Sequence, residues 1–313
     1  IVERLFGIQI EQIDGVPVWH EDVNFYRISQ HGKVLGYFYF DLFARRQKRG
    51  GAWMNDCRTR QQLADQKLQL PVAYLVCNFA PAAENQPALL THNDVVTLFH
   101  EFGHGLHHML TRVDVAGVAG INGVAWDAVE LPSQLLENWA WEKESLMMFA
   151  KHYQSGEPLP AVMLQKMLAA KHFQSAMFML RQLEFGLFDL RLHRQCQSEQ
   201  PPSVQAVLDQ VRQEIAVLTP PDWNRFQHGF SHIFAGGYAA GYYSYMWADV
   251  LAADVFERFL AEGIFNPQTG QQYWRQLLGR GGSADAMQLF IDFMGRKPDV
   301  AALIRSKGLG EAA

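Results

Sequence analysis

Two histidines and a glutamate near residue 100 have the types and spacing of a metal-dependent hydrolytic site: His100, Glu101 and His104. Residues four apart project from one face of an α-helix, about a turn apart, so the two imidazoles could bind one metal ion. Zinc suits imidazole nitrogens, commonly keeps one position open for water, and lowers the pKa of that water to about 7. Glu101 could then accept the proton of the water as a general base, and this pattern is typical of zinc peptidases.

The pattern is short, and the alternative is a polar helix turn whose histidines only make hydrogen bonds. Its surroundings favour a buried helix. Asn93 is a candidate N-cap, and apolar residues follow it at helical spacing. Gly103 and Gly105 lie inside the predicted helix, where each glycine costs roughly 1 kcal/mol relative to alanine. Such glycines indicate that another segment packs close to the helix backbone, which fits a buried helix carrying a metal site.

A third metal ligand must come from another part of the chain. His107 shares the face of His100 but lies two turns away, roughly 10 Å along the helix, and His107 and His108 are more simply explained as hydrogen-bonded histidines. Glu130 and Glu137, seven residues apart on a following predicted helix, are the candidates, and their spacing favours Glu130 only slightly. Glu130 would complete a His-His-Glu set with one open position, and Glu137 would then orient a ligand imidazole through its other nitrogen.

A second group of candidate residues follows a glycine-rich bend near residue 236. His232 precedes the bend, and Tyr238, Tyr242 and Tyr245 follow it at spacings that place them on one face of a predicted helix. One interpretation is an aromatic stripe in the core. The other is functional, because buried phenols need hydrogen-bond partners, and hydroxyls or an imidazole could donate to a developing oxyanion. The residues alone leave these two interpretations evenly balanced.

The elements that must position these residues divide the chain in two. Residues 1–80 have β character, with a predicted hairpin over 24–29 and 34–40 and short strands at 53–54 and 72–76. Residues 81–313 are predicted to be helical. After the motif helix, the predicted helices cover about 127–144, 161–193, 204–218, 237–260, 270–279, 284–294 and 299–307. We therefore expect one catalytic domain over residues 1–313, mainly α with a small β-sheet near the N-terminus (α+β).

Composition narrows the possible partners and the compartment. The 313 residues carry a net charge of −5, so no nucleic-acid partner is expected, and no apolar stretch is long and uncharged enough to predict a membrane span. Three widely spaced cysteines argue against a disulfide framework and favour the cytoplasm. The sequence shows no signal-peptide pattern. It begins at Ile1 without a methionine, so we expect a processed chain or a fragment.

The motifs together, in this order, resemble the thimet oligopeptidase family of zinc metallopeptidases. The resemblance extends over the whole chain and rests on residues 100–104, residues 129–139 and the glycine–tyrosine stretch after His232. It implies a zincin-like catalytic domain that binds one Zn²⁺ ion. The residue roles it implies are metal ligands at His100, His104 and Glu130, water activation by Glu101, and contacts to substrate and oxyanion from His232, Tyr238, Tyr245 and, more weakly, Tyr242.

The resemblance also implies a substrate class and a missing part. Members of that family hydrolyse short unstructured peptides and are roughly twice this length, with a helical N-terminal half that faces the catalytic half across a channel. This chain corresponds to the catalytic half, so the other half is an expected partner. Two alternatives to an oligopeptide endopeptidase are a catalytically silent, zinc-containing half that serves as a docking module, and a zinc exopeptidase.

Overall fold

The computed structural model describes residues 1–196 and 200–310, and within them a five-stranded sheet lies near the N-terminus. The strands are β1 (Gln9–Gln12), β2 (Asn24–Gln30), β3 (Lys33–Phe43), β4 (Trp53–Arg58), β5 (Gln61–Gln62), β6 (Leu68–Gln69) and β7 (Val72–Phe79). The sheet has the order β1-β2-β3-β7-β4, and β5 pairs with β6 separately. Only the β3–β7 pair of the five-stranded sheet is parallel. Because β4 is last in this order, it forms one edge of the sheet.

The predicted hairpin is confirmed as β2 and β3. The two-residue connection, His31 and Gly32, has φ angles of 48° and 75°. Positive φ at both positions gives a turn whose twist matches that of the strands it joins. Tyr26 on β2 stacks on Phe38 of β3, with ring centroids 5.0 Å apart. This cross-strand pair turns one face of the hairpin toward the core.

The rest of the described chain is mainly helical, which confirms the predicted fold class. The α-helices are α1 (Val2–Phe6), α2 (His92–Met109), α3 (Trp126–Val129), α4 (Leu131–Glu137), α5 (Lys143–Phe149), α6 (Ala161–Lys171), α7 (Ser175–Gln195), α8 (Val204–Ile215), α9 (Ser231–Phe234), α10 (Ser244–Glu262), α11 (Pro267–Gln276), α12 (Ala286–Met294) and α13 (Val300–Ser306). Helix α1 and strand β1 are absent from the sequence-based prediction, because both are too short to show a clear periodicity. No helix in the described ranges has the length and apolar character needed to cross a bilayer.

Three predicted helices are wrong in extent. The segment 127–144 contains α3, α4 and the start of α5, and Pro132 marks the restart at α4, since proline is tolerated only in the first turn of a helix. The segment 161–193 is split into α6 and α7, with left-handed backbone at Gln174 (φ 55°). The segment 237–260 becomes helical only at Ser244. The residues before it include Gly237 and Ala240 with positive φ, which a right-handed helix does not allow.

The main core lies between the sheet and helices α2, α4 and α10. Helix α2 runs between the sheet and α4, and its two glycines allow both approaches. A Cβ atom on Gly103 would lie 2.5 Å from the backbone oxygen of Pro132, and one on Gly105 would lie 3.0 Å from Leu75 of β7. The close packing predicted from these glycines is confirmed. A smaller core joins α7 and α8 around Phe188 and Leu208, and it supports the segment that carries His232 and the tyrosines.

Candidate metal centre and active site

Helix α2 presents His100 and His104 on one face, with ring centroids 4.9 Å apart. The helix begins with a capping box. The Thr91 side chain accepts a hydrogen bond from the Asp94 backbone, and the Asp94 carboxylate accepts one from the Thr91 backbone. The N-cap is therefore Thr91 rather than Asn93. The capping box satisfies two backbone N–H groups at the start of α2.

The carboxylate of Glu130 reaches both imidazoles. Glu130 lies at the junction of α3 and α4 and is 1% exposed. Its Oε2 atom is 3.3 Å from His100 Nε2 and 3.0 Å from His104 Nε2. Ser133 donates a hydrogen bond to the same oxygen at 3.1 Å. The sequence favours Glu130 over Glu137 as the third ligand only slightly. The geometry favours Glu130 clearly, because it is the one of the two that faces both Nε2 atoms.

Glu137, at the end of α4, contacts the other side of one imidazole. Its Oε1 atom is 2.6 Å from His100 Nδ1. An ionised carboxylate can only accept a hydrogen bond, so His100 Nδ1 carries a proton that it donates to Glu137. Burial opposes the charged form of His100, but the hydrogen bonds with Glu130 and Glu137 outweigh it and raise the pKa of this imidazole well above its usual value. Burial likewise opposes ionisation of Glu130, yet the nearby imidazoles hold its pKa well below the usual range.

The donor set fits a tetrahedral zinc ion. One nitrogen from each of His100 and His104 and one oxygen from Glu130 all lie within 4.8 Å of one another. Ligand atoms about 2.0–2.1 Å from a tetrahedral zinc are roughly 3.3 Å apart, close to the observed 3.0 and 3.3 Å between the carboxylate oxygen and the two nitrogens. Two imidazoles and one carboxylate leave a fourth position free, which is the composition of a catalytic rather than a structural site.

Glu101 lies beside this donor set at the wall of a cavity of about 840 Å³. The side chain is on α2 next to His100 and is nearly buried. Burial raises the pKa of Glu101, although the neighbouring imidazoles oppose the shift. The cavity is also lined by residues of strand β4 and of the loop before it, including Arg49 and Trp53, and by His232 and Tyr245. A carboxyl group of raised pKa at the wall of a cavity, such as Glu101, is suited to proton transfer.

His232 and the three tyrosines come together, but not by the predicted route. Tyr238 and Tyr242 lie in the turn before α10, and only Tyr245 is on that helix. The rings nevertheless pack on one another, with centroids of Tyr238 and Tyr245 4.9 Å apart and those of Tyr242 and Tyr245 5.0 Å apart. The ring centroid of His232, on the one-turn helix α9, lies 6.1 Å from that of Tyr245. The predicted shared helical face is wrong, and the cluster forms through the turn instead.

The three hydroxyl groups have different partners. Tyr238 donates a hydrogen bond to Glu130 Oε1, and Tyr242 donates one to Gln182 Oε1 on α7 at 3.0 Å. The Tyr245 hydroxyl lies beside the Tyr238 hydroxyl and donates to no other side chain among the described residues. Burial raises the pKa of all three phenols, that of Tyr242 to about 12, so each remains a protonated donor at neutral pH. Burial lowers the pKa of His232, although the charge of Glu130 opposes this.

The two histidines that follow the motif lie outside the donor set. His108 is fully buried, and its Nε2 atom is 2.9 Å from the backbone oxygen of Arg58 on β4. Burial lowers the pKa of His107 to about 3, so this imidazole is neutral. His108 is therefore a hydrogen-bonded core histidine, as predicted. The same prediction is wrong for His107, because its buried Nδ1 atom has no hydrogen-bond partner among the described residues.

Several contacts at the site cannot be found by reading the sequence. Gln182, which binds the Tyr242 hydroxyl, and Trp126, whose ring lies 4.6 Å from that of Tyr238, have no local motif around them. Both depend on how distant helices pack. Arg49 and Trp53 also line the cavity. The only sequence signal for them is the Gly50–Gly51 pair before β4, which marks a loop.

Fold, donor set and cavity together define a class of protein. The model of peptidase family M3 matches residues 1–309. The chain belongs to peptidase family M3, and the resemblance drawn from the motifs is confirmed.

Particular relatives share most of this chain. It is 56% identical over 310 residues to oligopeptidase A of Escherichia coli (strain K12), covering 99% of this chain and 46% of that protein. It is 46% identical over 319 residues to organellar oligopeptidase A, chloroplastic/mitochondrial, of Arabidopsis thaliana, covering 99% of this chain and 40% of that protein. A solved structure of PZ peptidase A with an inhibitor has a TM-score of 0.59 at 16% identity, over 86% of this chain and 42% of that chain, and shows the shared fold. The chain thus spans less than half the length of these relatives.

Proposed function

We propose that this chain is the catalytic part of a zinc-dependent endopeptidase that hydrolyses short, unstructured oligopeptides. The observation that carries the proposal is the convergence of two imidazoles and a carboxylate, with Glu101 beside them, at the wall of an open cavity. Membership in a peptidase family and the names of the relatives support it. No feature of the described residues favours a silent docking half, because the donor set and Glu101 are both in place.

His100, His104 and Glu130 would hold the zinc ion, with Glu137 fixing the tautomer of His100. When bound, zinc supplies Lewis-acid activation of water and of the scissile carbonyl. Tyr238 holds the second oxygen of Glu130, which leaves Oε2 directed at the two imidazoles. Hydrogen bonds of this kind orient ligands and raise their affinity for metal.

Glu101 is the proposed general base. It would accept a proton from the attacking water and then donate that proton to the leaving amine. Its pKa is raised by burial, which brings it closer to the pH of the reaction and makes both steps feasible for one carboxyl group.

Tyr245 and His232 are the proposed donors to the oxyanion. Both line the cavity, and the Tyr245 hydroxyl has only the Tyr238 hydroxyl as a side-chain partner among the described residues. The hydroxyls of Tyr238 and Tyr242 already bind Glu130 and Gln182. A donor that is already in place costs little reorganisation when charge develops on the carbonyl oxygen.

Strand β4 supports a substrate that is extended and unfolded. It lies at the edge of the sheet and lines the cavity with Trp53, Met54 and Asn55. An edge strand offers unpaired backbone groups, to which an extended peptide can bind as an added strand. A segment that is already folded has its own backbone groups paired and could not bind in this way.

The partner we propose is the additional segment that the longer relatives carry. Large apolar side chains are exposed along α5, α6 and the start of α7, and Leu164 is the single buried residue of α6. Examples of these exposed residues are Met147, Met148, Val162, Met163, Phe173 and Phe178. So much exposed apolar surface is typical of an interface. The free cysteines fit a reducing compartment, and we propose the cytoplasm.

Replacing Glu101 with glutamine tests the mechanism. We expect Glu101→Gln to keep zinc, since Glu101 is not a proposed ligand, and to lower kcat on a quenched-fluorescent peptide by at least about 100-fold, because the general base is lost. The matched control is Glu144→Gln, an exposed glutamate paired with Arg4. Mass spectrometry of wild-type products should show internal cleavage. Full activity in Glu101→Gln would contradict the mechanism, and release of terminal residues alone would contradict an endopeptidase.

A further inference from the structure

The turn that carries two of the site tyrosines has a backbone that needs external support. We call residues 235–243, between α9 and α10, the glycine–tyrosine turn. Within it Gly237 has φ of 87° and Ala240 has φ of 54°. A left-handed conformation is unfavourable for a residue with a Cβ atom unless its surroundings impose it. Something outside the turn must therefore hold Ala240 in place.

Asp189 of α7 supplies this support. Its carboxylate is fully buried, and each of its oxygens accepts a hydrogen bond from the turn. The Ala240 backbone N–H donates to Oδ1 and the Tyr242 backbone N–H to Oδ2, both at 2.9 Å. His193, one helical turn further along α7, places Nδ1 2.8 Å from Oδ1, and the same nitrogen hydrogen-bonds with the backbone oxygen of Asp189 at 2.9 Å. A buried carboxylate is costly unless it is hydrogen-bonded, and the two backbone amides of the turn satisfy both of its oxygens.

Two further residues of α7 contact the same turn. Gln182, Gly186 and Asp189 are spaced four and three apart, so they lie on one helical face, which we call the α7 anchor face. Gln182 accepts the hydrogen bond of the Tyr242 hydroxyl. A Cβ atom on Gly186 would lie 3.6 Å from the Cα atom of Tyr243, so the turn backbone runs directly over this position. Helix α7 thus holds the turn by its backbone and by one side chain.

We propose that Asp189 is a positioning residue that fixes the glycine–tyrosine turn so that the Tyr238 hydroxyl reaches Glu130. This inference rests on the proposed function, because it assigns Asp189 an effect on a proposed metal ligand. Asp189 is not among the residues that line the cavity, and it acts through the backbone amides of the turn. The sequence of contacts runs from Asp189 to the amides of Ala240 and Tyr242, then through the turn to Tyr238 and Glu130.

The test is Asp189→Asn in the natural full-length protein. The side-chain amide has one acceptor oxygen, so one backbone N–H of the turn loses its acceptor whichever way the amide points. We expect kcat on a quenched-fluorescent peptide to fall about 10–100-fold, since small misplacements in an active site have effects of this size. Zinc content at saturating zinc should not change. Amide hydrogen exchange in residues 235–243 should become faster.

Asp254→Asn is the matched control. Asp254 is also fully buried and also accepts a backbone hydrogen bond, from Asp299, and it pairs with Arg296. It lies nine residues after Tyr245 on α10, more than about 13 Å along the helix. We expect this variant to lose stability while kcat and exchange in the glycine–tyrosine turn stay at wild-type values. A loss of kcat equal to that of Asp189→Asn would show a general effect of destabilisation and would overturn the proposal.

A double-mutant cycle with Tyr238→Phe separates positioning from structure. If Asp189 acts through Tyr238, Asp189→Asn should lower kcat much less in the Tyr238→Phe background than in the wild type. If Asp189→Asn lowers kcat by the same factor in the Tyr238→Phe background as in the wild type, the proposal is overturned. If Asp189→Asn fails to fold, Gln182→Met is the second variant, because it removes the acceptor of the Tyr242 hydroxyl at a half-buried position. Amide hydrogen exchange in the glycine–tyrosine turn of Gln182→Met must then be faster than in the wild type for the proposal to stand.

The exchange measurement distinguishes the two levels of inference. If the wild-type protein is inactive, but exchange in its glycine–tyrosine turn is slow and Asp189→Asn makes it faster, the proposed function is contradicted. The role of Asp189 in holding the turn would still stand. If the protein is active and Asp189→Asn changes neither kcat nor exchange in the turn, the positioning role of Asp189 is overturned and the proposed function stands.

Discussion

The three tyrosines of the site differ in what their hydroxyl groups already bind, and this difference determines what each can do. Tyr238 donates to Glu130 and Tyr242 donates to Gln182, whereas the Tyr245 hydroxyl has only the Tyr238 hydroxyl as a side-chain partner within the described ranges. The sequence places all of them near a glycine-rich bend but contains nothing to separate them. Hydrogen-bond direction depends on atoms from α4 and α7, which are distant in the chain. Residue types were therefore predictable here, and their individual roles were not.

At the residue scale, Tyr238→Phe should weaken zinc binding. The variant removes the hydrogen bond to Glu130 Oε1 and leaves the ring, which stacks on Tyr245, in place. Loss of a hydrogen bond to a metal ligand typically lowers affinity about 10–100-fold. Competition with a chromophoric chelator would measure the change. Tyr153→Phe, at an exposed position that does not line the cavity, is the control and should bind zinc as the wild type does. Equal zinc affinities in Tyr238→Phe and the wild type would contradict the role given to this hydroxyl.

Elements position the site by close approach and by buried charge. Helix α2 can pack against α4 because Gly103 leaves room for the Pro132 backbone. The sequence predicted that another segment lies close to this glycine, but not which segment. The loop before β4, which lines the cavity, is tied to the end of β3 by an ion cluster. There Asp41 binds Arg45 and Lys48 and accepts a hydrogen bond from Trp19. The sequence does not reveal this cluster, because the buried partner Asp41 is known only once β3 is in place.

At the element scale, the Asp41 cluster should make stability depend on pH. Burial opposes ionisation of Asp41, but hydrogen bonds from Arg45, Lys48 and Trp19 outweigh it and hold its pKa well below the usual range. The stabilisation is therefore complete above the unfolded-state pKa of about 3.9 and is lost as the pH falls below it. Asp41→Asn should cost about 3–5 kcal/mol at pH 7, as when a buried ion pair is broken.

Urea unfolding followed by circular dichroism between pH 7 and pH 3 would measure this effect. The difference between wild type and Asp41→Asn should stay constant down to about pH 5 and shrink below about pH 4. Asp56→Asn, at an exposed position on β4, is the control and should match the wild type throughout. A difference that grows as the pH falls would contradict the assigned pKa shift.

At the scale of the whole molecule, the chain is a member of peptidase family M3 that covers less than half of its relatives' length. Its fold class was predictable, because the change from period-2 to helical patterning near residue 80 is strong. The breaks in the predicted helices were not. They are imposed by left-handed residues such as Gln174 and Ala240, whose conformation depends on tertiary contacts rather than on local preference. The functional cluster forms across one of these breaks.

The central claim is that His100, His104 and Glu130 bind one zinc ion while Glu137 only orients His100. The direct test is zinc content and affinity in wild type, Glu130→Gln and Glu137→Gln. The wild type should hold one zinc ion per chain, and Glu137→Gln should bind it about 10–100-fold more weakly. Glu130→Gln should lose considerably more affinity than that, because a ligand oxygen is replaced. Wild-type zinc affinity in Glu130→Gln, or a larger loss in Glu137→Gln, would contradict the account.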